Sequence, residues 1–175
     1  MITVYQATLQ QKGHHYSLVR QMIMQHIGHH HAIKIDKDIF GKPFCPGLPI
    51  QFNISHTKNQ LLVAISQTPV GVDIESTSRK IDPRVFDRYA PQDTLIKHVN
   101  MVSYWVILES AAKYFGQGIQ NIQNMIIHKH NNKWYHIKDT ASGKDSWTYL
   151  CCDKDWTWAV TSDSQQPIQH KTWLS

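Results

Sequence analysis

From Ile2 to Leu9 the hydrophobic positions alternate with the two-residue period of a strand. Between Tyr16 and Ile27 the period lengthens: Leu18, Val19, Met22, Ile23 and Ile27 share one helical face, and Gly28 supplies a stop. Gly41-Lys42-Pro43 and Pro46-Gly47 mark a turn-rich stretch with little regular structure. Two strands are predicted next, Leu61 to Ser66 and Val70 to Glu75, divided by Pro69. Asp82-Pro83 offers a cap and first turn for a short helix through Tyr89, and a longer helix runs from about Met101 to Phe115 before Gly116. The remainder reads as strands over 122–128, 133–137, 146–152 and 156–161, with a hairpin turn at Asn131-Asn132 and a looser one from Thr140 to Lys144. Each half is a helix followed by antiparallel strands, an α+β pattern. A boundary near Ser76 to Lys80 separates residues 1–76 from 77–175.

Composition narrows the class. Of the residues, 41% are hydrophobic and 18% charged, as in a folded soluble chain and unlike a disordered one. The longest apolar run, Leu61 to Ile65, is far too short to cross a bilayer, and no charged-then-apolar leader opens the sequence. Three cysteines, Cys45 and the adjacent Cys151-Cys152, lack the spacing of a disulfide framework or zinc ribbon, so a reducing cytoplasm is expected. A formal charge of +5 admits anionic partners, but it does not separate nucleic acid from an acidic protein or a phosphate-rich small molecule.

Candidate chemistry lies in four places. In Val70-Gly71-Val72-Asp73-Ile74-Glu75 the strand period puts Asp73 and Glu75 on one face and Val72 and Ile74 on the other. Paired oxygen ligands without sulfur or imidazole suit magnesium, although a solvated strand end also accommodates two acids. In Trp105-Val106-Ile107-Leu108-Glu109-Ser110-Ala111-Ala112-Lys113, helical pitch aligns Trp105, Glu109 and Lys113. A surface Glu–Lys pair would look the same, but Trp105 on that stripe implies that the face is partly covered. Phe52-Asn53-Ile54-Ser55-His56-Thr57, following Gly41-Lys42-Pro43, offers hydroxyl, imidazole and ammonium groups for a phosphate. It also reads as a polar turn before a strand, and no nucleophile elbow surrounds Ser55.

In this order the four motifs closely resemble the 4'-phosphopantetheinyl transferases, specifically the longer single-chain type that activates peptide and polyketide synthases. The resemblance runs from Gly41 to Ile119 and includes Gly116-Gln117-Gly118-Ile119 after the helix. It implies two similar α+β halves forming a pseudo-dimer, with the active site in the cleft between them. It also implies transfer of the phosphopantetheine arm of coenzyme A to a serine of an acidic acyl or peptidyl carrier protein, with release of 3',5'-ADP. By the same resemblance Asp73, Glu75 and Glu109 would hold magnesium or manganese, and Glu109 would be the base. Lys113 would steady the phosphates, while Ser55, His56 and Lys42 would hold the nucleotide. Neither nucleic acid nor a membrane is expected as partner, and a monomer is expected because one chain supplies both sides of its cleft.

The family commonly has Lys immediately before the helical Glu, where this sequence has Leu108. Rotated about 100° from Glu109, Leu108 is expected to lean toward the cleft entrance, so that Lys there would change the rate only modestly. Gln25 stands near a position where the family often has Arg; Arg20 and Lys12 are the substitutes for binding phosphate, with His14 and His15 also to hand. His29-His30-His31 after Gly28 reads as a surface loop and not a zinc site, since no acid or Cys completes it. The rivals are a non-catalytic relative binding coenzyme A or a carrier protein, a nucleic-acid-binding module and a two-metal phosphohydrolase. The spread of basic residues tells against the second, and the shortage of further acids near Asp73 against the third.

Overall fold

Leu61-Leu62-Val63-Ala64-Ile65 has no polar face to offer solvent, and the fold buries both sides of it. In the computed structural model, which describes residues 1–10, 15–89, 99–116, 118–129, 131 and 133–174, the chain runs β1 (Ile2–Thr8), α1 (His15–Ile27), β2 (Asp36–Lys37), β3 (Pro43–Phe44), β4 (Gln51–Thr57), β5 (Gln60–Ser66) and β6 (Gly71–Ser76). There follow α2 (Arg84–Tyr89), α3 (Met101–Phe115), a 3-10 segment (Ile119–Asn124), β7 (Met125–Lys129), β8 (Trp134–Asp139), β9 (Asp145–Cys152), β10 (Trp156–Ser162) and β11 (Ile168–Trp173). Among the described residues the strands form a four-stranded sheet, β11-β1-β5-β4, a five-stranded sheet, β6-β10-β9-β8-β7, and the small β2-β3 pair. Pairing is antiparallel except between β1 and β11.

Three cores account for the stacking. Leu61, Val63 and Ile65 face α1 and join Tyr5, Val19, Met22, Ile23 and Phe52. Leu62 and Ala64, on the other side of β5, meet Val72, Ile74, Trp158 and Val160 of the second sheet. That sheet's far face is covered by α3, where Trp105, Leu108 and Ala111 pack on Ile137, Leu150 and Ala159. The result, among the described residues, is an α+β fold in which α1 covers one large sheet, α3 covers the other, and the remaining faces meet. β6 belongs to the second sheet although the helix covering that sheet comes later, and β11 returns to the first.

Several elements differ from the sequence-based expectation. The stretch weighed as a polar turn is strand β4, registered from Gln51 opposite Ser66 to Thr57 opposite Gln60. Phe52 and Ile54 alternate onto the α1 core and drive that extension. The strand expected from Ile122 begins at Met125, because Ile122 is buried within the 3-10 segment. β11 was not anticipated: residues 169–172 are exposed and polar, and parallel pairing to β1 makes them a strand. Leu108 does not lean toward a cleft; it is fully buried in the α3 core. His29, His30 and His31 are exposed, as a surface loop requires, and Asn132 lies outside the described residues.

Candidate active site

The motif glycine explains how acids and helix come together. A side chain at Gly71 would place its Cβ 2.1 Å from the carbonyl oxygen of Ser110 and 2.5 Å from the backbone nitrogen of Tyr114. β6 therefore lies directly on the backbone of α3, which brings Asp73 alongside Glu109 and Lys113. The helix is anchored at both ends: Asn100 accepts from the N–H of Val102 at 2.8 Å, and Gly116 closes the C-terminus at φ 68°. Gly71→Ala is expected to cost about 3 kcal/mol or more, since backbone cannot yield as a side-chain tip does. Urea unfolding measures this, and an unchanged midpoint would refute the close contact.

The Phe-Asn-x-Ser-His-Thr stretch works along the other edge of β6. One edge of β6 pairs with β10. Along the other, Asn53 Oδ1 accepts from the N–H of Val72 at 3.1 Å, and Ser55 Oγ accepts from the N–H of Ile74 at 3.3 Å. These side chains stand in for a ladder strand and satisfy an otherwise bare sheet edge. Ser55 also donates to Asp73 Oδ1 at 2.7 Å, and Thr57 donates to Glu75 Oε2 at 3.0 Å. The hydroxyl of Ser55, expected to meet a nucleotide, is thus engaged at Asp73.

Lys113 completes the cluster. Its ammonium donates to Asp73 Oδ1 at 2.7 Å and to the carbonyl of Val72 at 3.1 Å, and stands 3.9 Å from Glu109 Oε2. Asp73 is only 4% exposed, and its Oδ2 is buried without a hydrogen-bond partner. A naked buried carboxylate oxygen is costly, and a hard divalent cation is a fitting partner for it. Burial, then the charge of Asp73, push the Glu109 carboxyl above the usual range, while Lys113 and Arg79 oppose the rise. Glu75 is bound at one oxygen by Arg79, whose guanidinium lies 5.7 Å from the ring centre of Trp105. Among the described residues no group of three His, Cys, Asp or Glu is assembled to hold a metal; the oxygen this cluster leaves open is Oδ2 of Asp73, with Glu109 near it across Lys113.

Lys42 and Lys113 line one cavity of about 450 Å³, together with Pro43, Asn53, Gly116 and Gly118. The Gly-Lys-Pro turn, β4 and the end of α3 thereby converge on one space. Burial holds the Lys42 ammonium below its usual pKa, partly offset by Asp38. His56 is exposed, with its ring 5.3 Å from that of His15, and His56 and Lys37 both depress the His15 pKa after burial does. Arg20 is exposed on α1, and it is not among the residues that line the cavity. Lys12, His14 and Gln117 lie outside the described residues. Sequence reasoning missed Thr57, Arg79 and Lys37. Thr57 sits two residues after Ser55 on the same strand face, a signal that recognising β4 would have exposed.

Comparison with known proteins points the same way as the motifs. The 4'-phosphopantetheinyl transferase gsp of Aneurinibacillus migulanus is 30% identical over 136 residues, covering 66% of this chain and 56% of that protein. The 4'-phosphopantetheinyl transferase ffp of Bacillus subtilis is 34% identical over 112 residues, covering 58% and 50%. The chain is related to the single-chain 4'-phosphopantetheinyl transferases. Sfp of Bacillus subtilis strain 168, also a 4'-phosphopantetheinyl transferase, shares 33% over 96 residues, covering 50% of this chain and 43% of Sfp. The chain spans about half the length of the curated relatives it matches. No family model matches it.

Proposed function

We propose that the protein transfers the 4'-phosphopantetheine arm of coenzyme A to a serine of an apo carrier protein, releasing 3',5'-ADP. The observation that carries this is the cluster of buried Asp73 with half-buried Lys113 and Glu109, its Asp73 oxygen open, reached by the same Lys113 that lines the cavity with Lys42. Asp73 and Glu109 would supply oxygens for magnesium or manganese, with Glu75, held by Arg79 and Thr57 in the free protein, as a third acid two residues from Asp73 on β6; the ion's charge would offset that of the diphosphate in transfer.

Glu109 accepts the proton of the carrier serine, directly or through water, as the serine oxygen bonds to the phosphorus nearer the pantetheine. The bond from that phosphorus to the bridging oxygen breaks, and 3',5'-ADP leaves with the electron pair. Burial raises the pKa of this carboxyl, and a higher pKa makes its carboxylate a stronger base. Lys113 steadies charge on the phosphates, while Ser55 and Lys113 together hold one oxygen of Asp73 and so orient the other. Lys42 meets the nucleotide in the cavity, and His56, with His15 beside it, meets the 3'-phosphate. Lys12 and Arg20 remain part of the proposal as outer phosphate contacts.

We read residues 1–76 and 77–175 as the two halves of a monomeric pseudo-dimer with the site in their cleft; one helix on each large sheet supports this. An acidic carrier protein suits the formal charge of +5. No described helix is long and apolar enough to cross a membrane, and the free thiols of Cys45, Cys151 and Cys152 accord with a cytoplasmic enzyme. Leu108 weighs against a catalytically impaired relative, because it faces the core and its change takes nothing from the acid cluster. The test is to incubate the protein with coenzyme A, magnesium and an apo carrier and to weigh the carrier. The expected result is a mass gain of one phosphopantetheine that a chelator prevents; an unchanged carrier with magnesium present would refute the proposal.

A further inference from the structure

Glu75 and Asp73 share a strand face but not a circumstance. Asp73 keeps one buried oxygen without a partner, whereas both oxygens of Glu75 are taken, Oε1 by the Arg79 guanidinium and Oε2 by the Thr57 hydroxyl at 3.0 Å. Arg79 is itself held in place. Its guanidinium lies over Trp105, which is buried and packs edge-on against Phe86 at 6.2 Å. Its backbone N–H donates to the carbonyl of Ser76 at 2.9 Å, and Thr77, inside the same turn, is tied to the β9–β10 connection through the carbonyls of Lys154 and Asp155. A planar guanidinium held over an aromatic ring loses little freedom in gripping a carboxylate.

We propose that Arg79 withholds Glu75 from the metal, so that the resting site offers two acids, Asp73 and Glu109, and that Arg79 thereby sets how tightly the free protein holds a divalent ion. This rests on the metal-dependent transferase reading above. Arg79 acts twice in one direction: it occupies the third acid, and it adds positive charge beside Glu109. The device leaves the metal site undersupplied until phosphate oxygens of the substrate arrive, which favours ion and coenzyme A entering together over a tightly held resident ion. Arg79 is a positioning residue in this scheme.

The test is manganese binding to the coenzyme-free protein, read from the electron paramagnetic resonance of the free ion. Wild type, Arg79→Ala, Glu75→Gln, the double variant and Asp73→Asn are compared, with folding of each verified by circular dichroism. Arg79→Ala should tighten binding about tenfold, and Glu75→Gln alone should change it by less than about twofold. In the double variant Glu75→Gln should take back most of the gain, and Asp73→Asn should weaken binding strongly. If Glu75→Gln in the wild-type background costs as much as Asp73→Asn, Glu75 is a resting ligand and the proposal fails while the metal reading stands. If the gain from Arg79→Ala survives Glu75→Gln, Arg79 acts only through its charge, and the withholding is refuted. If neither Asp73→Asn nor Arg79→Ala alters binding, the metal reading falls as well.

Discussion

Glu109→Gln is expected to lower single-turnover arm transfer about a thousandfold, within the range that general-base removal produces, and at the same time to raise the melting temperature. Both effects come from one carboxylate. It lies one helical turn from Lys113, beside Asp73, and is largely out of solvent. Burial and the charge of Asp73 raise its pKa in the fold, so the folded state holds this proton more tightly than the unfolded chain does. The stability contributed by protonated Glu109 is therefore present at low pH and is lost as pH rises through the raised value. At pH 8 its charge is a net cost that Gln removes; at pH 5 the cost is smaller. Thermal melts of wild type and Glu109→Gln at the two pH values check this, and a larger gain at pH 8 is the expected outcome. A variant destabilised at both would show that the pair with Lys113 outweighs burial.

Leu108→Lys is expected to fail in folding, not in rate. Leu108 is fully buried with Tyr104, Ile107, Ala111 and Ile137, so the substitution removes about 1.5–3 kcal/mol of apolar burial. It also forces an ammonium either to lose its proton or to tear the helix from the sheet, and each pKa unit surrendered costs about 1.4 kcal/mol. Together these reach a large share of the roughly 5–15 kcal/mol that holds a domain of this kind together. The urea midpoint of Leu108→Lys against wild type measures the loss; a midpoint within error of wild type would place residue 108 at the surface. The family's lysine beside its helical Glu thus has no direct equivalent at this position. Arg79, reaching the cluster from the turn after β6, contributes positive charge there instead.

The two elements that carry the acids were legible because each has a strong period. Val72 and Ile74 toward the core between the sheets, with Asp73 and Glu75 on the opposite face, is a strand that keeps its period, and Trp105, Glu109 and Lys113 follow helical pitch. What escaped depended on partners far along the chain. β4 looked like a turn because Asn53, Ser55 and Thr57 are polar, and their polarity makes sense only beside the bare edge of β6. β11 offers little apolar pattern, since its exposed residues gain strand geometry from β1 alone. Arg79 escaped because i,i+4 spacing signals an ion pair only on a helix, whereas Glu75 and Arg79 are joined across a turn pinned by Thr77. The placement of Leu108 was misjudged by angle: a residue about 100° from the active face of a helix covered on most sides falls into the core.

The most direct measurement is the single-turnover rate at which the arm moves from coenzyme A to an apo carrier protein, for wild type and Asp73→Asn, at saturating coenzyme A and magnesium. Asn keeps the size of Asp73 and the oxygen that Ser55 and Lys113 use, but it removes the charge that would hold the ion. Wild type is expected to convert the carrier, while Asp73→Asn, folded by circular dichroism and still binding coenzyme A, leaves it unmodified. Transfer by Asp73→Asn at the wild-type rate would contradict the placement of catalysis in the Asp73–Glu109–Lys113 cluster.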